Sequence, residues 1–102
     1  MQQHTKIALQ SRRYPITGEP VPCDVEGCWK PAQDTHHIEN SYRGKRKNNK
    51  YNLSLLCRDC HNKYGHSGNT VESRILLIER VKWILDNIEE RKEQARKFNY
   101  YV

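Results

Sequence analysis

Residues 34–66 read DTHHIENSYRGKRKNNKYNLSLLCRDCHNKYGH, and the rest of the chain is organised around them. Residues 34–38 are too few for a helix and suit a strand. Residues 39–51 are polar, Gly-containing and basic, which predicts a loop. The segment NLSLLC at 52–57 alternates weakly and reads as the returning strand, and RDCHNKY after it predicts a short helix ending near Gly65. Into this hairpin-and-helix frame the sequence sets two adjacent histidines, His36 and His37, then Asn52, then His61. Packing alone does not explain that combination, so the chemistry is to be sought here.

Working outward on the N-terminal side, Cys23 and Cys28 form a C-x4-C pair, and Cys57 and Cys60 form a C-x2-C pair. This is the spacing of two metal-binding knuckles and predicts one four-cysteine zinc site. Gly27 permits the tight turn that aims two thiolates at one ion. A pair of disulfides is the alternative, but no secretory signal or membrane-length apolar run places the chain in an oxidising compartment. A reduced, cytoplasmic, prokaryotic or phage-encoded setting is the expectation, with no membrane partner. A chain of 102 residues with 35% hydrophobic content buries only a modest core, so a zinc clamp is physically useful. Trp29 is expected to pack on this module rather than on a base.

Residues 1–22 are expected to be an extended or looped arm, because Pro15, Pro20, Pro22 and Gly18 exclude a continuous helix. Arg12 and Arg13 in this arm are either phosphate contacts or surface cations, and His4 is read as incidental. Residues 23–69 would be the zinc-stabilised core. Residues 70–102 contain no proline or glycine and open on Thr70, a preferred N-cap residue, which predicts one long helix. Its apolar face would be Leu77, Ile78, Val81, Ile84, Leu85 and Ile88, with Leu76 and Trp83 opposite. That second patch would meet either the N-terminal arm or a second subunit in a homodimer. The charged segment after Ile88 is expected to project into solvent.

The net charge of +6 is unevenly spread. Residues 1–70 carry eleven Lys and Arg against six Asp and Glu, and the remainder carries seven against six. Arg43, Lys45, Arg46, Lys47 and Lys50 fall in a run without an acid, between the two halves of the histidine cluster. That pattern suits contact with a nucleic-acid backbone, the alternative being a solvated loop.

On a strand, His36 and His37 point to opposite faces. If His36 faces an ion also held by His61, His37 is left neutral and available to take a proton from water. A phosphodiester between them would meet a nucleophile on one side and a Lewis acid on the other.

The pattern His36-His37-Ile38, Asn52-Leu53, Leu56-Cys57-x-x-Cys60-His61 resembles the HNH endonuclease family, and Cys23 and Cys28 match its zinc-binding subtype. The resemblance spans about residues 23–66. It implies an α+β fold, the ββα-metal motif, here with a four-cysteine zinc site and a long C-terminal helix. It also implies His37 as general base, Asn52 as the residue that fixes the loop and orients the base, and His36 and His61 as ligands of one catalytic divalent ion (Mg2+, Mn2+ or another transition metal). The reaction implied is hydrolysis of double-stranded DNA, one strand nicked per site, leaving 5′ phosphate and 3′ hydroxyl ends.

Two departures accompany the match. Many members carry Asp where this chain has His36, which shifts metal preference toward softer ions. Some also place a ligand four residues after the position of His61, which here is Gly65, with His66 one later. On a continuous α-helix an i,i+5 spacing lies about 140° off the His61 face, so His66 ligates only if the helix ends at Gly65 and the chain turns back. Asp34 is expected to be a strand-edge or cap carboxylate. The competing function is a non-catalytic, zinc-dependent nucleic-acid-binding module. A third, an interaction module built on the long helix, would show salt-insensitive protein association.

Overall fold

Asp34–His37 (β1) and Leu53–Leu56 (β2) pair antiparallel, with Asp34 opposite Leu56 and His37 opposite Leu53. They form the sheet of a computed structural model that describes residues 1–39, 48–66 and 68–102. β2 reads LSLL because both its faces are covered, as expected of a strand without strict alternation. Leu53 and Leu55 pack with Ala8, Leu9, Tyr14 and Val21 on one side, whereas Leu56 packs with Cys23, Ile38, Leu77 and Val81 on the other. The sheet is thus a thin central layer between an N-terminal and a C-terminal helical layer.

The N-terminal layer corrects the expectation of an extended arm. Gln3–Ser11 form a helix, α1, in which Ala8 and Leu9 are buried. The prolines that forbid a helix begin at Pro15, past its end. Short helices of this kind are stabilised by packing rather than propensity, so a polar local sequence does not reveal them. Arg12, at the C-cap of α1, is neither a phosphate contact nor a surface cation. Its guanidinium is buried against Asp24, with Nη2 2.6 Å from Oδ2 and Nε 3.3 Å from Oδ1. The same group donates to the carbonyls of Leu53, at 2.9 Å, and Ala8, at 3.0 Å. Asp24 Oδ2 in turn accepts from the Leu55 amide at 2.7 Å. One ion pair therefore joins α1, the cysteine-bearing knuckle and β2. Arg12→Ala strands the Asp24 carboxylate in the core, and a loss of about 3–5 kcal/mol is expected in thermal or urea unfolding.

Asn52 lies in a 3-10 turn, Lys50–Asn52, that leads into β2. After β2 come Arg58–Cys60 (α2) and a π-helical turn, His61–His66. The C-terminal layer is two helices rather than one, Val71–Asp86 (α3) and Ile88–Arg96 (α4). α3 opens with a capping box in which Thr70 Oγ1 accepts from the Ser73 amide and Ser73 Oγ from the Thr70 amide. Leu77, Val81 and Ile84 form its buried stripe, while Ile78 is exposed at its margin. The break falls at Asn87, where φ is −134° and the side-chain amide donates to the Trp83 carbonyl at 2.8 Å. Side-chain bonding to nearby backbone is how Asn competes with a helix. Nor does α4 project into solvent, because Arg91 and Ala95 are buried. Arg91 Nη2 donates to the Cys23 carbonyl at 2.7 Å, and its guanidinium lies over the Trp29 ring at 4.6 Å. No helix among the described residues is long and apolar enough to cross a membrane.

Candidate metal centre and histidine site

Cys23 and Cys28 lead into β1, and Cys57 caps α2 one turn before Cys60. The hairpin brings the two pairs together, and all four sulfur atoms lie within 4.8 Å of one another. The Cys28–Cys57 and Cys28–Cys60 separations are both 3.8 Å. Zn–S bonds of about 2.3 Å in a tetrahedron put sulfurs about 3.8 Å apart, so this donor set fits Zn2+. All four are free thiols, not disulfides. Burial pushes the Cys23 thiol up, and pushes that of Cys60 up to about 12. Burial also opposes ionisation of Cys57, but hydrogen bonds from Cys60 and neighbouring thiols outweigh it and lower its pKa. A divalent cation is the natural counter-charge for four thiolates in so small a space.

The second cluster sits where the hairpin meets the π turn. His36 is buried on the face of β1 that it shares, by strand alternation, with Asp34. Its ring centroid is 5.0 Å from that of His61, which is 4.6 Å from that of His66. Burial first, and then the neighbouring imidazoles, depress the His36 pKa to about 4, so it is neutral near pH 7. Its Nε2 is buried with no hydrogen-bond partner among the described residues. His61 Nδ1 lies 3.0 Å from Asp34 Oδ2. A carboxylate only accepts, so in the neutral ring Nδ1 carries the proton and Nε2 the lone pair. Burial works against ionisation of Asp34, but hydrogen bonds from Arg58 and His61 prevail and lower its pKa.

The meeting of His61 with His66 takes a route the sequence does not suggest. The chain neither stops at Gly65 nor turns back; it widens into i→i+5 bonding, which carries residue 66 round to the His61 side. Gly65 is what allows the rings so close. A Cβ there would stand 2.8 Å from His61 Cδ2 and 2.9 Å from His36 Cε1.

His37 faces the other way. Its Nε2 lies 2.9 Å from Asn48 Oδ1, an oxygen that can only accept, so in the neutral ring Nε2 holds the proton and Nδ1 the lone pair. The His4 ring of α1 approaches it at 4.9 Å. Asn52 is buried and clasps the backbone two residues beyond His37, accepting from the Glu39 amide at 2.8 Å and donating to the Glu39 carbonyl at 3.2 Å. Its own carbonyl accepts from the Ile38 amide at 2.9 Å.

Of the basic run, Lys50 is exposed, its ammonium 5.3 Å from the Tyr51 ring centre. Arg43, Lys45, Arg46 and Lys47 lie outside the described residues. Three residues that the sequence reading passed over join the site: Asp34, Asn48 and His4. Only Asp34 carried a signal, because a residue two before His36 on a strand shares its face. A cleft of about 1150 Å³ lies elsewhere, between Trp29, Leu76, Trp83 and Phe98. Glu26, Glu72 and Glu79 line it together with Arg80 and Lys97, a mixed lining without the concentrated positive charge that suits a polyanion. Trp29 stacks on Phe98 at 4.2 Å, and Leu76 of the second apolar patch stays exposed.

No significant match is found among curated proteins or among solved structures. The family model for HNH endonuclease matches residues 23–67, the span that holds the four cysteines, both strands and the π turn. The two-stranded sheet, the following helix and the cysteine cluster of that span fit the HNH endonuclease family.

Proposed function

We propose that the protein is a metal-dependent endonuclease that hydrolyses phosphodiester bonds of double-stranded DNA, nicking one strand per site. The observation that carries this reading is the division of β1, with a neutral, buried His36 grouped with His61 and His66 on one face and a tautomer-fixed His37 on the other. His36 and His61, with His66, would hold the catalytic ion. The orphaned Nε2 of His36, the Asp34-fixed tautomer of His61 and the ring-sized space kept by Gly65 fit that role. Among the described residues the four cysteines are the one group already placed to hold an ion, so a shared catalytic ion would require the imidazoles to move closer together.

When bound, a divalent ion supplies a Lewis acid for the phosphoryl oxygen and the departing 3′ oxygen. His37 Nδ1 takes the proton from the attacking water, and Asn52 holds the backbone after β1 so that this nitrogen keeps its aim. Lys50, with Arg43, Lys45, Arg46 and Lys47, neutralises backbone phosphates, so affinity falls steeply with salt. Double-strand cleavage would need a second copy, for which the exposed Ile75 and Leu76 on α3 provide a surface. The test is a supercoiled-plasmid assay of protein stripped of its catalytic ion, with Mg, Mn, Co, Ni or Zn added back. Conversion to open circles only with added ion is the expected result. No conversion with any ion, from folded zinc-loaded protein, would leave a nucleic-acid-binding module instead.

A further inference from the structure

Helix α1 lies outside the segment matched to the family, yet its first turn reaches the nuclease site. It is held at both ends. Near its start Thr5 Oγ1 lies 3.0 Å from Thr35 Oγ1 on β1, and at its C-cap the buried Arg12 is bonded to Asp24 and to the Leu53 carbonyl. Strand alternation puts Thr35 and His37 on one face of β1, so the helix that grips Thr35 also places His4 beside His37. A cleft of about 530 Å³ runs along this junction and is lined by His4, Thr5, Thr35, Asp34 and His61. The His4 and His37 rings are tilted by 48° with centroids 4.9 Å apart, a tilted ring-on-ring packing contact.

We propose that His4 is a positioning residue for the general base: its ring, packed on one side of the His37 imidazole, acts with the Asn48 hydrogen bond to hold that imidazole in a single orientation. One hydrogen bond fixes the direction of Nε2 but leaves the ring free to rock about it. A flat neighbour clamped to the same strand removes that freedom, and with it the scatter in where Nδ1 points. The proposal rests on the assignment of His37 as base. It predicts that a flat ring at position 4 matters more than its nitrogens.

The test compares wild type, His4→Ala and His4→Phe as full-length, zinc-loaded proteins, by steady-state nicking and by NMR of the His37 imidazole at fixed pH. His4→Ala should lower kcat roughly 10- to 100-fold with KM unchanged, and His4→Phe should restore most of it. In the NMR arm the wild type should show one His37 tautomer and cross-peaks between the two rings. His4→Ala should give averaged nitrogen shifts, and His4→Phe should retain the single form. Unchanged kcat and unchanged His37 shifts in His4→Ala would overturn the proposal. So would a raised KM at constant kcat, which would make His4 a phosphate contact, or a failure of His4→Phe to restore the rate. If wild type does not cleave at all, the nuclease reading fails separately, and the NMR arm still decides whether His4 orders His37.

Discussion

Replacing His37 with alanine is expected to leave the protein folded and zinc-loaded while lowering strand cleavage by roughly 10²–10⁴-fold, the usual contribution of a positioned general base. The side chain is only partly buried and lies outside both core clusters among the described residues, so little packing is lost. Its described contacts, the Asn48 hydrogen bond and the His4 ring, belong to the site rather than to the core. A melting temperature close to wild type, together with loss of plasmid nicking at every divalent ion tested, is the expected pattern. Near-normal nicking by His37→Ala would remove it as base and turn attention to the other imidazoles. Loss of folding would show that the contact with α1 is structural first.

Removal of zinc should have the larger energetic effect. The four cysteines come from two segments that the chain separates by the whole hairpin, and one ion would tie Cys23 and Cys28 to Cys57 and Cys60. Structural zinc in small domains is associated with apparent binding energies of about 10–16 kcal/mol. A domain of this size has a net stability of about 5–15 kcal/mol. Chelation is therefore expected to abolish the cooperative thermal transition seen by circular dichroism, and added Zn2+ to restore it. The same treatment should free Trp29, because the knuckle it follows would lose its anchor, and tryptophan fluorescence should shift to the red. A cooperative transition that survives complete zinc removal would show that the two helical layers suffice without the clamp.

Much of this architecture was legible before any coordinates. The hairpin followed from a segment too short for a helix and a weakly alternating one on either side of a polar basic loop, and the cysteine cluster from spacing alone. What stayed hidden has one physical cause: a local pattern shows polarity, not partners. Arg12 and Arg91 read as solvent-facing because they are charged, yet Asp24 and the Cys23 carbonyl lie far away in sequence and accept them in the core. α1 reads as a polar arm because its burial comes from Leu53 and Leu55. The π turn is invisible because no residue type announces it, and α-helical arithmetic put His66 on the wrong side. Asn87 divides the C-terminal helix without glycine or proline, by bonding its side chain back to Trp83.

The covering of both faces of β2 has a bearing on modularity. The recognisable motif ends at residue 67 and begins at residue 23, but an excised 23–67 fragment would lose α1 from one side of its sheet and α3 from the other. Leu53, Leu55 and Leu56 would all be bared, and the Asp24 carboxylate would lose its guanidinium. The unit that can be transplanted between proteins is therefore larger than the unit that can be recognised, and a graft that carries only the signature residues would carry the chemistry without the walls that shape it.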